Sequence, residues 1–399
     1  MALSSAELMR RWQGPALLSG GFRPFFFFGA VWAALAMALW VLALTGLIEL
    51  PTRLDPVSWH AHAFLFGYLG AAIAGFLLTA VPNWTGRLPV VGWPLLGLVT
   101  LWALGRLGLL ASAHLPFALV ASVDLAFPLA LGGVVLREIV AGKNWRNLPV
   151  LVLLSVFTLA DLLFLIEAAR GGYAAAGIGM RLGLAAVLMM VALIGGRIIP
   201  SFTRNWLVKE NHPARPAPPM QRFDKLAMLA AGAALLAWVA LPEAGLTAAL
   251  LLATGVLHLA RLWRWKGGLT LRAPILFVLH LAYICLPLGA LAHGLAILFP
   301  AALTHATALH LWTAGALGGM TLAVMSRASL GHTGRPLEAS AGTVAVYAAL
   351  FVAMIARLLA GWLGVSALYS ISGVAWCAAF LGFAILYAPV LWQPRRRAQ

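Results

Sequence analysis

The chain is poor in charge. Asp and Glu together number 11 in 399 residues, against 27 Lys and Arg, and charged residues of all kinds make up 10%, where a soluble domain carries roughly 25%. So few charges cannot clothe a water-exposed surface, which excludes the two or three soluble domains that length alone would suggest. Cysteine is nearly absent: Cys285 and Cys377 are the only two. Neither a disulfide framework nor a cysteine zinc motif is therefore expected, and both residues read as small apolar core positions. There is no low-complexity segment and no basic stretch interleaved with aromatics, so the formal charge of +16 is not a nucleic-acid footprint. The polar stretch 1–21, which holds Arg10 and Arg11, lacks the small-residue cleavage pattern of a signal peptide. The first apolar run is expected to remain as a helix.

What the chain has in abundance is apolar sequence. Hydrophobic residues make up 63%, and a spanning helix needs about 20 mostly apolar residues. Such runs tile the chain at 25–48, 59–81, 92–112, 116–140, 148–170, 175–199, 224–241, 245–262, 273–298, 301–325, 341–363 and 366–391. The expected fold is all-α, a polytopic membrane protein of about twelve transmembrane helices forming one transmembrane domain over 1–399. Placing the N-terminus in the cytoplasm puts the Lys and Arg residues in or beside cytoplasmic segments, with only Arg53, Arg106, Arg170, Arg181 and Arg357 left over. That is the positive-inside pattern, and it makes the charge a topology and lipid-headgroup signal. Both termini and the Pro-rich connection 205–223 are expected on the cytoplasmic side.

The sequence also repeats. A shift of 248 residues lays the second apolar run on the tenth without a gap, with His62 on His310, Gly67 on Gly315, Gly70 on Gly318 and Thr85-Gly86-Arg87 on Thr333-Gly334-Arg335. A shift of 118 aligns the end of the sixth run more weakly, with Pro82 on Pro200 and Thr85 on Thr203, and it places Arg197 where Arg327 stands in the last copy. The reading is three four-helix arcs around a pseudo-threefold axis, near 22–147, 148–272 and 273–391.

Ten histidines are present, and most lie in or at the edge of the apolar runs, where polar side chains are costly and usually functional. His60 and His62 stand two apart and so point to nearly opposite helix faces. His305, His310 and His293 sit toward the outer side, while His258 and His280 sit toward the inner one. Neutral imidazole ligates haem iron and copper, although a single membrane histidine as readily bonds a backbone carbonyl. For His62 and His310, at equivalent repeat positions among Trp59, Phe64, Phe66 and Trp312, the metal reading is the stronger.

Several strings are specific: Gly21-Phe22-Arg23-Pro24-Phe25-Phe26, Trp59-His60-Ala61-His62, Ala74 to Gly86 (AGFLLTAVPNWTG), Gly196 to Trp206 (GRIIPSFTRNW) and Arg327 to Arg335 (RASLGHTGR). They resemble the NnrS family over essentially the whole chain. The resemblance implies a bacterial inner-membrane protein that contains haem and copper and takes part in the response to nitric oxide, in denitrification and under nitrosative stress. The family's WHAH element is commonly followed by Glu, whereas Ala63 stands here. A remoter similarity to haem–copper oxidase subunit I implies that His62 and His310 hold a b-type haem. The sixth and seventh runs have no histidine and Ala308 stands two before His310, so a conventional oxygen-reducing centre is not expected. Copper or a second haem would then fall to His60, His293 and His305 or to His258 and His280, with a quinol or another electron donor as partner. Arg23, Arg197, Arg204, Arg327 and Arg335 gather toward the inner face as contacts for propionates or another anion.

Asp124, Asp161, Glu167, Arg106 and Arg181 fall inside apolar runs. Arg106 and Asp124 are both about 10–12 Å deep on adjacent runs and are expected to pair. The group reads as structural ion pairs or a proton path. Two functions follow: a redox or nitric-oxide-handling haem–copper protein, or a carrier of haem, copper or a small solute, for which twelve helices with repeats is also a common build. No catalytic residue is assigned. The topology is tested by reporter fusions at residues 215 and 399, both expected to report a cytoplasmic location; a periplasmic signal from either one overturns the helix count.

Overall fold

The computed structural model describes residues 12–86 and 89–394. Arg10, Arg11, Arg87 and the run Arg395-Arg396-Arg397, used above for topology and for the repeat, lie outside the described residues. Among those described, twelve helices are long and apolar enough to cross a membrane. They are α1 Phe22–Leu44, α2 Pro56–Thr85, α3 Trp93–Leu110, α4 Phe117–Ala141, α5 Trp145–Ala169 and α6 Ile178–Lys209, followed by α7 Arg222–Ala240, α8 Gly245–Trp263, α9 Pro274–Leu298, α10 His305–His332, α11 Ala341–Leu363 and α12 Ala367–Trp392. No strand occurs among the described residues. Each apolar run has become one helix. The largest departure is α6, which continues through Pro200 to Lys209 where the run ends at 199. Around that proline, Ser201 Oγ donates to the Arg197 carbonyl at 2.7 Å and Thr203 Oγ1 to the Ile199 carbonyl at 2.9 Å, side-chain bonds of the kind that let apolar-phase helices tolerate proline.

Local chemistry explains several helix ends. Asp55 caps α2, its Oδ1 accepting from the backbone N–H of Val57 and Ser58 at 3.0 and 2.9 Å, with Pro56 in the first turn. Thr304 and Ser340 cap α10 and α11 in the same way. Gly86 and Gly364 end α2 and α11 in the left-handed region, at φ 69° and 67°, which favours glycine. Burial follows one stripe on most helices, whereas α2, α6, α9 and α10 are buried over most of their surface. On α4 the buried positions include Phe117, Val120, Asp124, Phe127, Leu131 and Val135, the three- and four-residue spacing of a single face. Leu129, at 63% exposed, belongs to a face that only lipid could cover.

By its contacts the chain divides into two compact units. The first comprises Met1–Leu184, Ala328–Pro336 and Phe380–Gln399, and the second Ala185–Arg327 and Leu337–Ala379. In the first unit α1 packs on α2, α2 and α3 pack on α4, and α4 on α5; in the second, α7 packs on α8, α8 on α9, α9 on α10 and α10 on α11.

The 248-residue shift aligns geometry as well as sequence. Immediately after His62, α2 widens into a π-helical segment over Ala63–Tyr68, and immediately after His310, α10 does the same over Leu311–Gly318. Such segments are rare and frequently mark functional sites. In the first unit two indoles grip the widened turn: Trp32 Nε1 donates to the Ala63 carbonyl and Trp102 Nε1 to the Gly67 carbonyl, each at 2.9 Å. A Cβ on Gly67 would stand 2.8 Å from both Arg106 Nη1 and Trp32 Nε1. In the second unit a Cβ on Gly315 would stand 2.6 Å from Met354 Sδ, and Met354 is the residue 248 positions after Arg106. Gly105 likewise faces Asp124, while its counterpart Ala353 accepts a 2.8 Å hydrogen bond at its carbonyl from Ser372, the counterpart of Asp124.

The close approach at Gly67 is testable. Gly67→Ala should lower the melting temperature of the purified protein by several degrees, because Arg106 and Trp32 are held by other bonds. Gly97→Ala, on a helix face with nothing within 4 Å, should leave it unchanged or slightly raised. Equal effects of the two substitutions would show that the α2 backbone has slack at this point.

Candidate metal centre

Four consecutive helices each deliver one polar side chain to the interior of the first unit. His62 comes from α2, Arg106 from α3, Asp124 from α4 and Asp161 from α5, and their exposures are 2%, 4%, 0% and 2%. Each sits on the buried stripe of its helix. Leu95, Leu98, Trp102 and Leu109 share the Arg106 stripe, and Val150, Leu154, Phe157 and Phe164 share that of Asp161. The meeting therefore follows from helix phase rather than from loops.

His62 Nε2 lies 2.9 Å from Asp161 Oδ1 and 3.1 Å from Asp124 Oδ2. Facing carboxylates on both sides, this nitrogen must carry its hydrogen, and one hydrogen serves one acceptor. It donates to Asp161, which leaves Asp124 Oδ2 without a hydrogen-bond partner. Asp124 Oδ1 accepts from Arg106 Nη2 in a buried ion pair. Phe66 and Phe164 flank the imidazole at 5.0 and 5.3 Å between ring centroids. With a neutral imidazole the four groups sum to one negative charge, from two carboxylates and one guanidinium, and an uncompensated charge is costly in such surroundings. A proton on the imidazole or a bound cation would each restore the balance. His62, Asp124 and Asp161 each offer a ligand atom, all within 4.8 Å of one another, a spacing compatible with one ion about 2.0–2.2 Å from imidazole nitrogen and carboxylate oxygen, provided the ion displaces the Nε2 hydrogen.

This geometry changes the reading of His62. An axial haem ligand offers a ring nitrogen to iron and orients itself through the other, but here Nε2 is enclosed by two carboxylates. His310, in the second unit, has Nδ1 on the Ala306 carbonyl at 2.6 Å, the orientation that leaves Nε2 toward a metal. His60 stacks on Trp40 at 4.6 Å and 22°, on a different helix face from His62, as their spacing requires.

The other histidines have separate partners. His293 stacks on Trp312 at 4.1 Å and 11° and bonds the Gly289 carbonyl at 3.2 Å, and His305 meets Glu243 at 3.2 Å. The inner pair is held by separate partners. His258 uses both nitrogens, on Tyr283 Oη at 2.9 Å and the Ala227 carbonyl at 3.1 Å, and His280 Nε2 bonds Thr203 Oγ1 at 2.8 Å. His258 thus has both nitrogens satisfied, whereas the buried Nδ1 of His280 has no hydrogen-bond partner.

Among the remaining ionic residues, Glu167 is a helix cap and not part of the cluster: its Oε1 accepts from the N–H of Ile178 at 2.9 Å and of Gly179 at 3.4 Å at the start of α6. Arg181 Nη1 donates to the Ala176 carbonyl at 2.5 Å. Arg23 Nη1 donates to the carbonyls of Leu391 and Gln393, both at 2.7 Å, closing the C-terminal end of α12, so this donor is taken up by backbone. The Arg327 guanidinium lies 4.2 Å from the centroid of the Phe202 ring. The Arg197 carbonyl accepts from Ser201. Arg204, with Ser201, Asn205 and Pro216–Pro219, lines a cleft of about 490 Å³.

Sequence reasoning missed a second buried network. Arg261 Nε donates to Asp224 Oδ1 at 2.7 Å, and Arg261 Nη1 to the Ala192 carbonyl at 3.0 Å and Tyr283 Oη at 2.9 Å. Asp224 and Arg261 lie at helix ends beside basic loops, so they read as topology charges. The three- and four-residue spacing joining Asp224 to the buried Ala227 and Ala231 was the signal available.

The charge count of the first cluster predicts an asymmetric mutant cycle. Arg106→Gln leaves two carboxylates facing one imidazole and should destabilise strongly, on the order of the roughly 3–5 kcal/mol seen when a buried pair is broken. Adding Asp124→Asn in that background should recover part of the lost melting temperature. A double variant less stable than Arg106→Gln alone would mean that Asp124 is held by something other than the guanidinium.

No curated protein matches the chain. The sequence model of one family, described as NnrS protein, matches residues 16–395, nearly the full length. The chain belongs to the NnrS family.

Proposed function

We propose that this protein is a metal-containing component of the bacterial nitric oxide response, sitting in the inner membrane with both termini cytoplasmic and holding copper at His62, Asp124 and Asp161. Family membership supports the nitric oxide and membrane parts of this reading, and the distribution of basic residues supports the orientation. One observation carries the metal assignment: three ligand atoms from three membrane-crossing helices converge within 4.8 Å, and Asp124 Oδ2 lies 3.1 Å from His62 Nε2 without a hydrogen bond of its own.

An imidazole with two carboxylates is a nitrogen–oxygen donor set that suits Cu(II). Copper bound there would supply one-electron redox chemistry and a coordination position for a small ligand such as nitric oxide. The protein's part is to hold the site. Arg106 fixes Asp124 and offsets one carboxylate charge, Phe66 and Phe164 keep water from the imidazole, and the π-helical turn sets the direction of His62. The haem that accompanies copper in the family does not fit His62 as it is held here, and His310 is the better axial candidate, with a quinol or another donor as the electron source.

Copper content and optical spectra of the purified chain test the assignment together. His62→Ala and Asp161→Asn should each remove most of the copper while sparing any haem bands in the reduced-minus-oxidised spectrum. His310→Ala should do the opposite. Loss of haem with retention of copper in His62→Ala would return His62 to iron, and unchanged copper in both cluster variants would leave the cluster as an ion-pair network holding a proton.

A further inference from the structure

The second unit contains a small, partly open cavity bordered by α6, α7, α8, α9 and the π-helical segment of α10. Its walls include Ala192, Ala234, Leu286, Ala290, Thr254 and Trp312. The space open to the centre of a water-sized guest is about 20 Å³, above the roughly 10–15 Å³ that one such guest needs. The small void in the first unit beside Val135 and Glu138 offers about 10 Å³ and falls short.

Two features keep this space open. Four alanines line it (Ala192, Ala231, Ala234 and Ala290), so no long side chain reaches across. Trp312 forms a rigid wall: its Nε1 donates to the Leu286 carbonyl at 2.9 Å, its face stacks on His293 at 4.1 Å, and Trp238 meets it edge-on at 5.4 Å. An indole held on three sides does not swing in to fill the gap.

Water is a poor occupant. A buried water makes 2–4 hydrogen bonds, and Thr254 is the one polar side chain in the wall. Its hydroxyl has no hydrogen-bond partner and the residue is 3% exposed. A dry apolar cavity instead accepts small apolar guests, as engineered cavities take up xenon. A diatomic gas is of suitable size, dissolves in the hydrocarbon around the helices, and needs no polar entrance.

The geometry points to a binding site for a small apolar gas in the core of the second unit, walled by the π-helical turn at Trp312. Choosing nitric oxide among such gases rests on the proposed function; the site itself does not.

Met189 also lines the cavity and gives a site-specific probe. The full-length protein is labelled with ¹³C at its methionine methyls, and the Met189 resonance is assigned with Met189→Leu. Under xenon pressure that resonance should shift saturably while methionines away from the cavity stay in place. Nitric oxide, added anaerobically, should shift the same resonance. Both responses should vanish in Ala290→Leu and in Ala234→Leu, two independent fillings of the space, so that misfolding of one variant leaves the other to decide. No xenon-dependent shift in the unsubstituted protein, or a shift that survives both fillings, overturns the site. A response to xenon with none to nitric oxide keeps the gas site and removes nitric oxide from it. Copper content, measured separately, reports on the proposed function and has no bearing on this outcome.

Discussion

Arg106 and Asp124 form an ion pair between α3 and α4 in a region with almost no other charge. Much of the first unit's interior is arranged around them. Gly67 and Gly105 are bare because Arg106 and Asp124 lie where their Cβ atoms would be. The α2 backbone comes close enough for Trp32 and Trp102 to catch the Ala63 and Gly67 carbonyls, and this same turn carries His62 to the second carboxylate. In hydrocarbon an unpaired charge has no solvent to retreat to, so the pair constrains which helices can neighbour which, and in what rotation. A hydrophobic contact at the same place would tolerate a turn of slippage; this one does not.

The second unit shows what a purely structural version of such a network looks like. Asp224 and Arg261 cancel in charge. Tyr283 Oη accepts from Arg261 and, with the Ala227 carbonyl requiring the His258 hydrogen on Nε2, donates to His258 Nδ1. Nearly every donor finds an acceptor, and the sum is neutral. The His62 cluster, with a neutral imidazole, carries one negative charge in excess; each network leaves at least one buried polar atom unpartnered, Arg261 Nη2 in one and Asp124 Oδ2 in the other. Both networks are buried and both join several helices, so burial does not separate them. Charge balance does, and on the proposed reading it is the first that would take an added cation.

The twelve helices could be read from the sequence because the length of an apolar run is a direct consequence of bilayer thickness. The Arg106–Asp124 pair could be read from depth alone, since two runs joined by a short connection place residues at equal distances from it at equal levels. The joining of Asp161 and His62 to that pair could not. It depends on rotation about each helix axis, and in a membrane protein the lipid-facing and buried faces are both apolar, so Leu159 at 49% exposed and Phe164 at 0% look alike to any hydropathy measure. The same blindness hid Arg261, whose position near a basic loop suggested topology, and gave Glu167 a place in a proton path although it caps the next helix. The histidines were visible as residues, but their partners were fixed by that unseen rotation.

Two copies of one backbone device have acquired different contents. In each, a histidine is followed at once by a π-helical turn, and a glycine five residues on lets a side chain of the neighbouring helix approach. That side chain is Arg106 in one copy and Met354 in the other; the next position in the lattice is Asp124 in one and Ser372 in the other. The polar contents belong to the first copy and the apolar ones to the second, where Met354 Sδ rests 3.8 Å from Cys285 Sγ and Trp312 walls a small, mostly apolar cavity. A π-helical turn costs helix stability wherever it occurs, so its presence in both copies is not explained by the charges of one. What the copies share is the direction the turn gives to the residues around it: toward carboxylates in the first, and toward an alanine-lined space in the second.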